Sequence, residues 1–142
     1  MRNPSSEEAA RWLAQAARDL DAAALLRRGG HANLACFHAQ QAAEKAVKAF
    51  LYGRGAEDVR GHSVSRLLSD AGTFDDRFTA LRTTGATLDK FYIPTRYPNG
   101  LPGGLPADAY TADEAATAIA KANHVLATVR SALDSPAVDH SS

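Results

Sequence analysis

The chain has 142 residues, 45% of them hydrophobic and 23% charged, which is typical of one globular domain and excludes a disordered chain. Sixteen basic residues balance sixteen acidic ones, so the zero net charge argues against binding nucleic acid by bulk charge alone. The single cysteine, Cys36, excludes an intramolecular disulfide and a cysteine-based metal cluster. Because there is no secretory segment and no apolar run long enough to span a membrane, we expect a cytoplasmic protein.

Two long helices are predicted in the first part of the chain. A capping-box pattern at 5–8 precedes apolar residues at helical spacing, which predicts a helix over 6–28. The glycines at 29–30 end it, because glycine readily adopts the left-handed conformation of a helix cap. A second helix is predicted over 32–52, and the short connection makes the two helices an antiparallel hairpin.

The second helix has two distinct faces. The first is small and apolar, so a neighbouring helix can approach it closely. It consists of Cys36, Ala39, Ala43, Ala46, Val47 and Phe50. The opposite face gathers an imidazole, an amide, two ammonium groups and a phenol, which are chemically active groups. It consists of His38, Gln41, Lys45, Lys48 and Tyr52.

The second half of the chain is predicted to be helical as well, apart from one long loop. A short helix starts at His62-Ser63 and closes at Gly72, and Thr73 can cap a third long helix over 74–91. Four prolines and three glycines in 93–106 exclude regular structure there.

The last helix begins at the capping box of 111–114 and runs to about Leu133, with 135–142 as a flexible tail. No strand pattern is present. The predicted fold is therefore all-α, an up-and-down bundle of four long helices plus one short helix, with residues 5–134 as a single domain.

A candidate ligand site lies where the third long helix ends. Arg96 has a planar fork that matches phosphate oxygens in pairs, and Tyr92 and Tyr97 offer rings on which a base can stack. Asp89 lies in the same stretch. The alternative is that Arg96 pairs with Asp89 or Glu44 while the tyrosines pack the end of the bundle.

Lys45 and Lys48 on the second helix are further candidates for binding an anion. Residues 45–96 carry nine basic and six acidic side chains, which makes this the part of the chain to search for an anionic ligand. The alternatives are an ordinary i,i+4 pair between Glu44 and Lys48, and a solvated surface of mixed charge. The predicted nucleotide or RNA site therefore consists of Lys45, Lys48, Asp89, Tyr92, Arg96 and Tyr97.

The histidines support neither a metal site nor a cofactor. They form no helical HxxxH pair and have no carboxylate set nearby, so no metal and no cofactor are predicted. His62 could act as a general base, but its place at a helix start favours a cap or a packed turn. Leu34 and Phe37, together with His38 and Gln41, form a half-apolar face that we expect to be covered by a second copy of the chain.

Three stretches, in this order, resemble the HEPN-domain family of helical nucleotide-binding domains. They are WLAQAARDLDAAALL at 12–26, FHAQQAAEKAVKAFL at 37–51, and His62-Ser63-Val64 followed by LDKFYIPTRYP at 88–98. The resemblance covers about residues 8–130. It implies a homodimeric bundle that binds a nucleotide or RNA. It also implies a partnership with a minimal nucleotidyltransferase in a toxin–antitoxin-like pair, in which the transferase can modify a tyrosine such as Tyr92 or Tyr97.

The resemblance leaves the enzymatic activity open. Ribonucleases of the family carry an arginine, four to six residues and a histidine near the end of the third long helix. This chain has Arg96 there but no histidine before His124. The main hypothesis is therefore a binding protein, and the alternative is a divergent metal-independent ribonuclease toxin that uses His62 with Arg96.

Overall fold

The computed structural model describes residues 3–134, and throughout this range the regular structure is helical. Seven α-helices are described, together with a 3-10 turn at Pro98–Gly100. The helices are α1 (Pro4–Arg28), α2 (Ala32–Gly53), α3 (Val64–Gly72), α4 (Asp76–Thr79), α5 (Arg82–Asp89), α6 (Pro106–Ala109) and α7 (Ala112–Asp134). The all-α class is confirmed, and the tail predicted at 135–142 lies outside the described residues.

Helix α2 forms the centre of the bundle, because α1 and α7 both pack against it. Its apolar face is buried, as the sequence predicts, and half of its residues are alanine. Small side chains from α1 and α7 face this surface, which lets the three backbones approach closely. These are Ala16 and Ala23 of α1, and Ala115, Ala118 and Ala122 of α7.

Helix boundaries follow local capping signals. Two of the predicted caps, the capping box at 5–8 and Thr73, are wrong. Helix α1 begins at Pro4, because the side chain of Asn3 accepts a hydrogen bond from the Ser6 amide at 2.8 Å. Thr73 does not cap the following helix. The capping oxygen belongs to Asp75, which accepts from the Arg77 amide at 3.0 Å.

The capping box at the start of α7 is confirmed. The Glu114 amide donates to Thr111 Oγ1 at 3.1 Å, and the Thr111 amide donates to Glu114 Oε1 at 3.0 Å. The loop that precedes this helix was predicted to lack regular structure, which is wrong for Pro98–Gly100 and Pro106–Ala109. Both short elements start with proline, whose fixed φ suits the first position of a helix.

The third long helix, predicted over 74–91, is broken into α4 and α5. Its apolar residues reach two different partners. The ring of Phe78 lies 4.4 Å from the ring of Phe50 on α2, whereas Gly85 packs against α3. The break falls at Ala80 and Leu81, which are good helix formers, so intrinsic helix propensity does not predict it. The interruption lies between these two contacts, and the periodic pattern alone does not reveal it.

Gly85→Ala is expected to destabilise the protein, although alanine favours a helix over glycine by about 1 kcal/mol. A Cβ at Gly85 would lie 2.7 Å from Leu68 Cδ1 and 3.0 Å from the Ser65 amide nitrogen, so α3 and α5 would have to separate. Overpacking of this kind costs about 1–3 kcal/mol, which leaves a net loss of about 1 kcal/mol in the free energy of unfolding. Urea denaturation measures it. Gly103→Ala, where a Cβ meets nothing within 4 Å, is the matched control.

Within residues 3–134, no helix is long and apolar enough to cross a membrane.

Candidate functional site

The guanidinium group of Arg96 lies among three aromatic rings. Its Cζ atom is 4.3 Å from the ring centre of Phe37, 4.7 Å from that of Tyr92 and 5.0 Å from that of Tyr97. Its Nε atom donates a hydrogen bond to the Tyr92 carbonyl oxygen at 2.8 Å. Cation–π contacts of this kind hold the planar group in one orientation and leave its positive charge intact.

The two terminal nitrogens of Arg96 have no hydrogen-bond acceptor among residues 3–134. Neither Asp89 nor Glu44, which the sequence offered as alternative partners, forms an ion pair with it. A guanidinium that is held by its Nε atom and its faces therefore presents its outer edge to a ligand. This edge is the part that binds two oxygens of one phosphate.

The loop that carries Arg96 is anchored by a buried polar contact. Thr95 is fully buried, and its carbonyl oxygen accepts a hydrogen bond from Asn33 Nδ2 of α2 at 2.9 Å. Its hydroxyl donates to the Phe91 carbonyl oxygen. These contacts fix the backbone on one side of Arg96, so the side chain projects from a supported position.

His62 lies beside the same aromatic cluster. Its ring stacks on Tyr92, with ring centres 4.9 Å apart and planes 18° apart. Its Nδ1 atom is 3.1 Å from Glu44 Oε1, and its side chain remains 60% exposed. The sequence favoured a cap or a packed turn for His62. The capping oxygen of α3 belongs instead to Ser63, which accepts from the Arg66 amide at 3.1 Å.

A buried polar network lies below His62. The side chain of Glu44 is only 4% exposed, and Oε2 pairs with Lys48 Nζ at 3.3 Å. Gln40, also buried, donates to the His62 carbonyl oxygen at 2.8 Å and accepts from Gln41 at 2.8 Å. Every buried side-chain nitrogen and oxygen in the described part of the chain has a partner. The network thus fixes both the backbone and the ring of His62.

Both predicted lysines are engaged in ion pairs. Lys45 Nζ lies 2.6 Å from Asp19 Oδ2, and Lys48, whose side chain is 8% exposed, pairs with Glu44. Lys48 Nζ also lies 5.6 Å from the ring centre of Trp12. Lys48 therefore forms the i,i+4 pair with Glu44 that was the alternative to a ligand contact. Contact of either lysine with a ligand stays a prediction.

Asp89 joins two helices through its carboxylate. Oδ1 accepts from the Val64 amide at 2.7 Å, and Oδ2 accepts from the Ser65 amide and the Ser63 hydroxyl, each at 3.0 Å. The carboxylate thereby satisfies the free amides at the start of α3, where negative charge is favourable. It links α5 to α3, and its contact with a ligand stays a prediction.

The structure brings Tyr92, Arg96 and Tyr97 together and adds Phe37 and His62, which were not in the predicted site. Phe37, which the sequence assigned to an expected dimer seam, is half-buried and its ring lies under Arg96, while the seam itself stays a prediction. One signal could have found it, because Phe37, Gln41, Lys45 and Lys48 follow helical spacing along one side of α2. The thiol of Cys36 is buried, and burial raises its pKa to about 11.

No group of three or more histidines, cysteines, aspartates or glutamates in the described range is arranged to hold a metal ion. The site is instead a cationic fork and an imidazole on aromatic rings at one end of a helical bundle. Groups of this kind can bind an anion that is attached to a flat ring.

Comparison with known proteins identifies the family. The HEPN domain model matches residues 9–132, so the chain belongs to the HEPN domain family. The crystal structure of TT1696 from Thermus thermophilus has a TM-score of 0.82 and 41% identity, over 87% of this chain and 96% of that chain. ST0689, described as an archaeal HEPN homologue, has a TM-score of 0.73 and 38% identity, over 89% and 98%.

A curated relative carries the name "Putative toxin MJ1304" and comes from Methanocaldococcus jannaschii. It is 28% identical over 128 residues, which are 84% of this chain and 84% of that protein.

Proposed function

We propose that this HEPN protein binds a nucleotide or RNA, with the phosphate at Arg96, and that it acts as a homodimer in a toxin–antitoxin-like pair. The observation that carries the proposal is the open edge of the Arg96 guanidinium on its three rings. A charged donor that is already oriented loses little conformational entropy when it binds. A bidentate pair of charged hydrogen bonds then supplies affinity that a flexible surface arginine would not.

The rings around Arg96 suit a ligand that carries a base. Tyr97 is 49% exposed, so one face of its ring is available next to the guanidinium. Stacking of one base on an aromatic side chain contributes about 1–3 kcal/mol. A phosphate at Arg96 and a base on Tyr97 would therefore bind at the same time, which favours a nucleotide or single-stranded RNA over inorganic phosphate.

The charge around the site also favours a local contact over a broad electrostatic surface. Asp19 neutralises Lys45, and Glu44 neutralises Lys48, so Arg96 supplies most of the positive charge at this position. The exposed Lys90 lies six residues before it. We expect a small number of phosphate contacts and a correspondingly weak dependence of affinity on salt.

Arg96→Ala is expected to weaken binding of a labelled single-stranded oligoribonucleotide by about 10- to 100-fold, because charge-assisted hydrogen bonds are lost. Fluorescence anisotropy in EDTA measures the affinity. Arg82→Ala is the matched control, since it removes the same charge from an exposed residue of α5. Equal affinities for wild type and Arg96→Ala would contradict the site, and loss of affinity in Arg82→Ala as well would indicate non-specific attraction.

A divergent metal-independent ribonuclease is the second candidate function. The observation that favours it is that His62 and Arg96 both contact the ring of Tyr92. An imidazole can take the 2′-hydroxyl proton of RNA while a guanidinium stabilises the charge on the phosphate. Gel analysis of the RNA from the same incubation tests it. Cleavage by wild type that is lost in both Arg96→Ala and His62→Ala would replace binding by catalysis as the proposed activity.

The homodimer and a minimal nucleotidyltransferase partner are further parts of the proposal. The toxin name of the relative from M. jannaschii and the HEPN family support a paired system. Three large, exposed hydrophobic residues lie between α5 and α6, which provides apolar surface for a protein contact. They are Ile93, Tyr97 and Leu105. Light scattering of the purified protein, alone and after co-expression with a candidate transferase, tests both associations.

A further inference from the structure

We propose that His62 is a second contact for the phosphate held by Arg96, and that the buried Glu44 is the positioning residue that orients it. This inference rests on the proposed binding function and adds two residues to the site. His62 and Arg96 are attached to different segments of the chain, yet both lie against Tyr92. A phosphate that reached both groups would receive donors from two segments of the chain.

Two contacts hold the imidazole of His62, and a third holds its backbone. Tyr92 lies under its face, Glu44 Oε1 lies 3.1 Å from Nδ1, and Gln40 binds its backbone carbonyl oxygen. The side chain is nevertheless 60% exposed. Since Nδ1, the inner ring nitrogen, contacts Glu44, Nε2 is the ring nitrogen left for a ligand. An exposed histidine without such contacts would sample several rotamers and lose entropy on binding.

The carboxylate of Glu44 determines what Nε2 can do. A carboxylate accepts a hydrogen bond from Nδ1–H, so the neutral ring carries its hydrogen on Nδ1 and a lone pair on Nε2. When the ring is protonated, Nε2–H becomes a charged donor and can bind a phosphate oxygen. The same carboxylate is adjacent to the positive ring and compensates its charge beside the Arg96 guanidinium.

The charged and titratable groups around His62 come from three elements. Glu44 and Lys48 belong to α2, Asp89 to α5, and Tyr92 and Arg96 to the following loop. Asp89 is occupied by the start of α3, and Lys48 is paired with Glu44 Oε2. Glu44 Oε1 is therefore the carboxylate oxygen that makes direct contact with the ring.

The test measures the affinity of wild type for a labelled single-stranded oligoribonucleotide between about pH 8 and pH 5.5, the interval in which imidazoles change charge. Wild type is expected to bind several-fold more tightly at the lower pH. In His62→Asn this rise should be lost. His124→Asn, a change at an exposed residue of α7, should keep the rise and serves as the control.

Glu44→Gln should reduce the pH-dependent rise, because a neutral amide neither orients the ring through Nδ1–H as strongly nor compensates its charge. Glu44→Asp is the second variant, since it keeps a charge for Lys48 but withdraws the carboxylate from Nδ1. Thermal melts followed by circular dichroism show which variants are folded. Ring nitrogen shifts in ¹⁵N NMR give the tautomer directly, and Nδ1–H should predominate in wild type and lose population in Glu44→Asp.

The outcomes separate this inference from the function on which it rests. Binding that depends on Arg96 but has the same pH profile in wild type and His62→Asn would overturn the second contact and leave the proposed function standing. No binding by wild type at any pH would remove the proposed function and with it the phosphate contact. A tautomer that is unchanged in Glu44→Asp would overturn the positioning by Glu44, whatever the binding assay shows.

Discussion

Replacing Lys48 with methionine is expected to lower the free energy of unfolding by about 3 kcal/mol, because the change leaves the Glu44 carboxylate buried without its charged partner. Both side chains are less than a tenth exposed, and their charged atoms lie 3.3 Å apart. Methionine fills a similar volume, so the loss would come from electrostatics and not from a cavity. Urea denaturation near neutral pH measures the effect.

The double variant Glu44→Leu with Lys48→Met provides the decisive comparison. Removing both charges avoids the buried unpaired ion, and replacing a buried pair by apolar residues is often neutral or stabilising. The double variant should therefore recover most of the stability that Lys48→Met loses. Lys90→Met, at an exposed position, should change stability by less than about 0.5 kcal/mol. A Lys48→Met protein as stable as wild type would mean that the pair contributes nothing to the fold.

Asp89→Ala is expected to lower the free energy of unfolding by about 2–4 kcal/mol, since it removes the acceptor for two amides and one hydroxyl at the start of α3. Each of these donors then loses a charged partner. Asp89→Asn should have an intermediate effect, because its single amide oxygen still accepts one of these bonds. Thermal and urea denaturation give the loss for each variant.

The control for this prediction is Asp70→Ala, which removes a carboxylate from an exposed residue of α3 itself. It should leave the stability nearly unchanged. RNA binding by Asp89→Asn supplies a second readout. If Asp89 acts only by linking α5 to α3, binding should fall in proportion to the unfolded fraction. A folded Asp89→Asn protein with strongly reduced affinity would instead restore Asp89 as a contact with the ligand.

Much of the fold is predictable because its signals are local. The connection at 29–30 and the capping box of Thr111 and Glu114 involve residues within a few positions of one another. The apolar face of α2 likewise depends on helical geometry alone, and its alanines are buried as predicted. The family resemblance came from three short stretches of sequence, and the match over residues 9–132 confirms it.

The break between α4 and α5 shows where local signals fail. The apolar residues of this region fit one continuous helix, and no glycine or proline lies at the break itself. The chain is nevertheless interrupted between Phe78 and Gly85, which pack against different helices. Propensity and periodicity describe a helix in isolation, so they contain no information about which neighbour each turn must reach.

The candidate site likewise combines features that the sequence predicts with contacts that only the fold creates. From the order of residues it follows that Arg96 lies near two tyrosines in a proline-rich loop, and that α2 carries charged residues on one side. The folded bundle is needed to learn that Arg96 rests on Phe37, that His62 reaches Glu44, and that both lysines are paired within the protein. The physical reason is distance along the chain. Asn33 and Thr95, which hold the Arg96 loop on α2, are 62 positions apart, and only packing of the bundle brings such residues into contact.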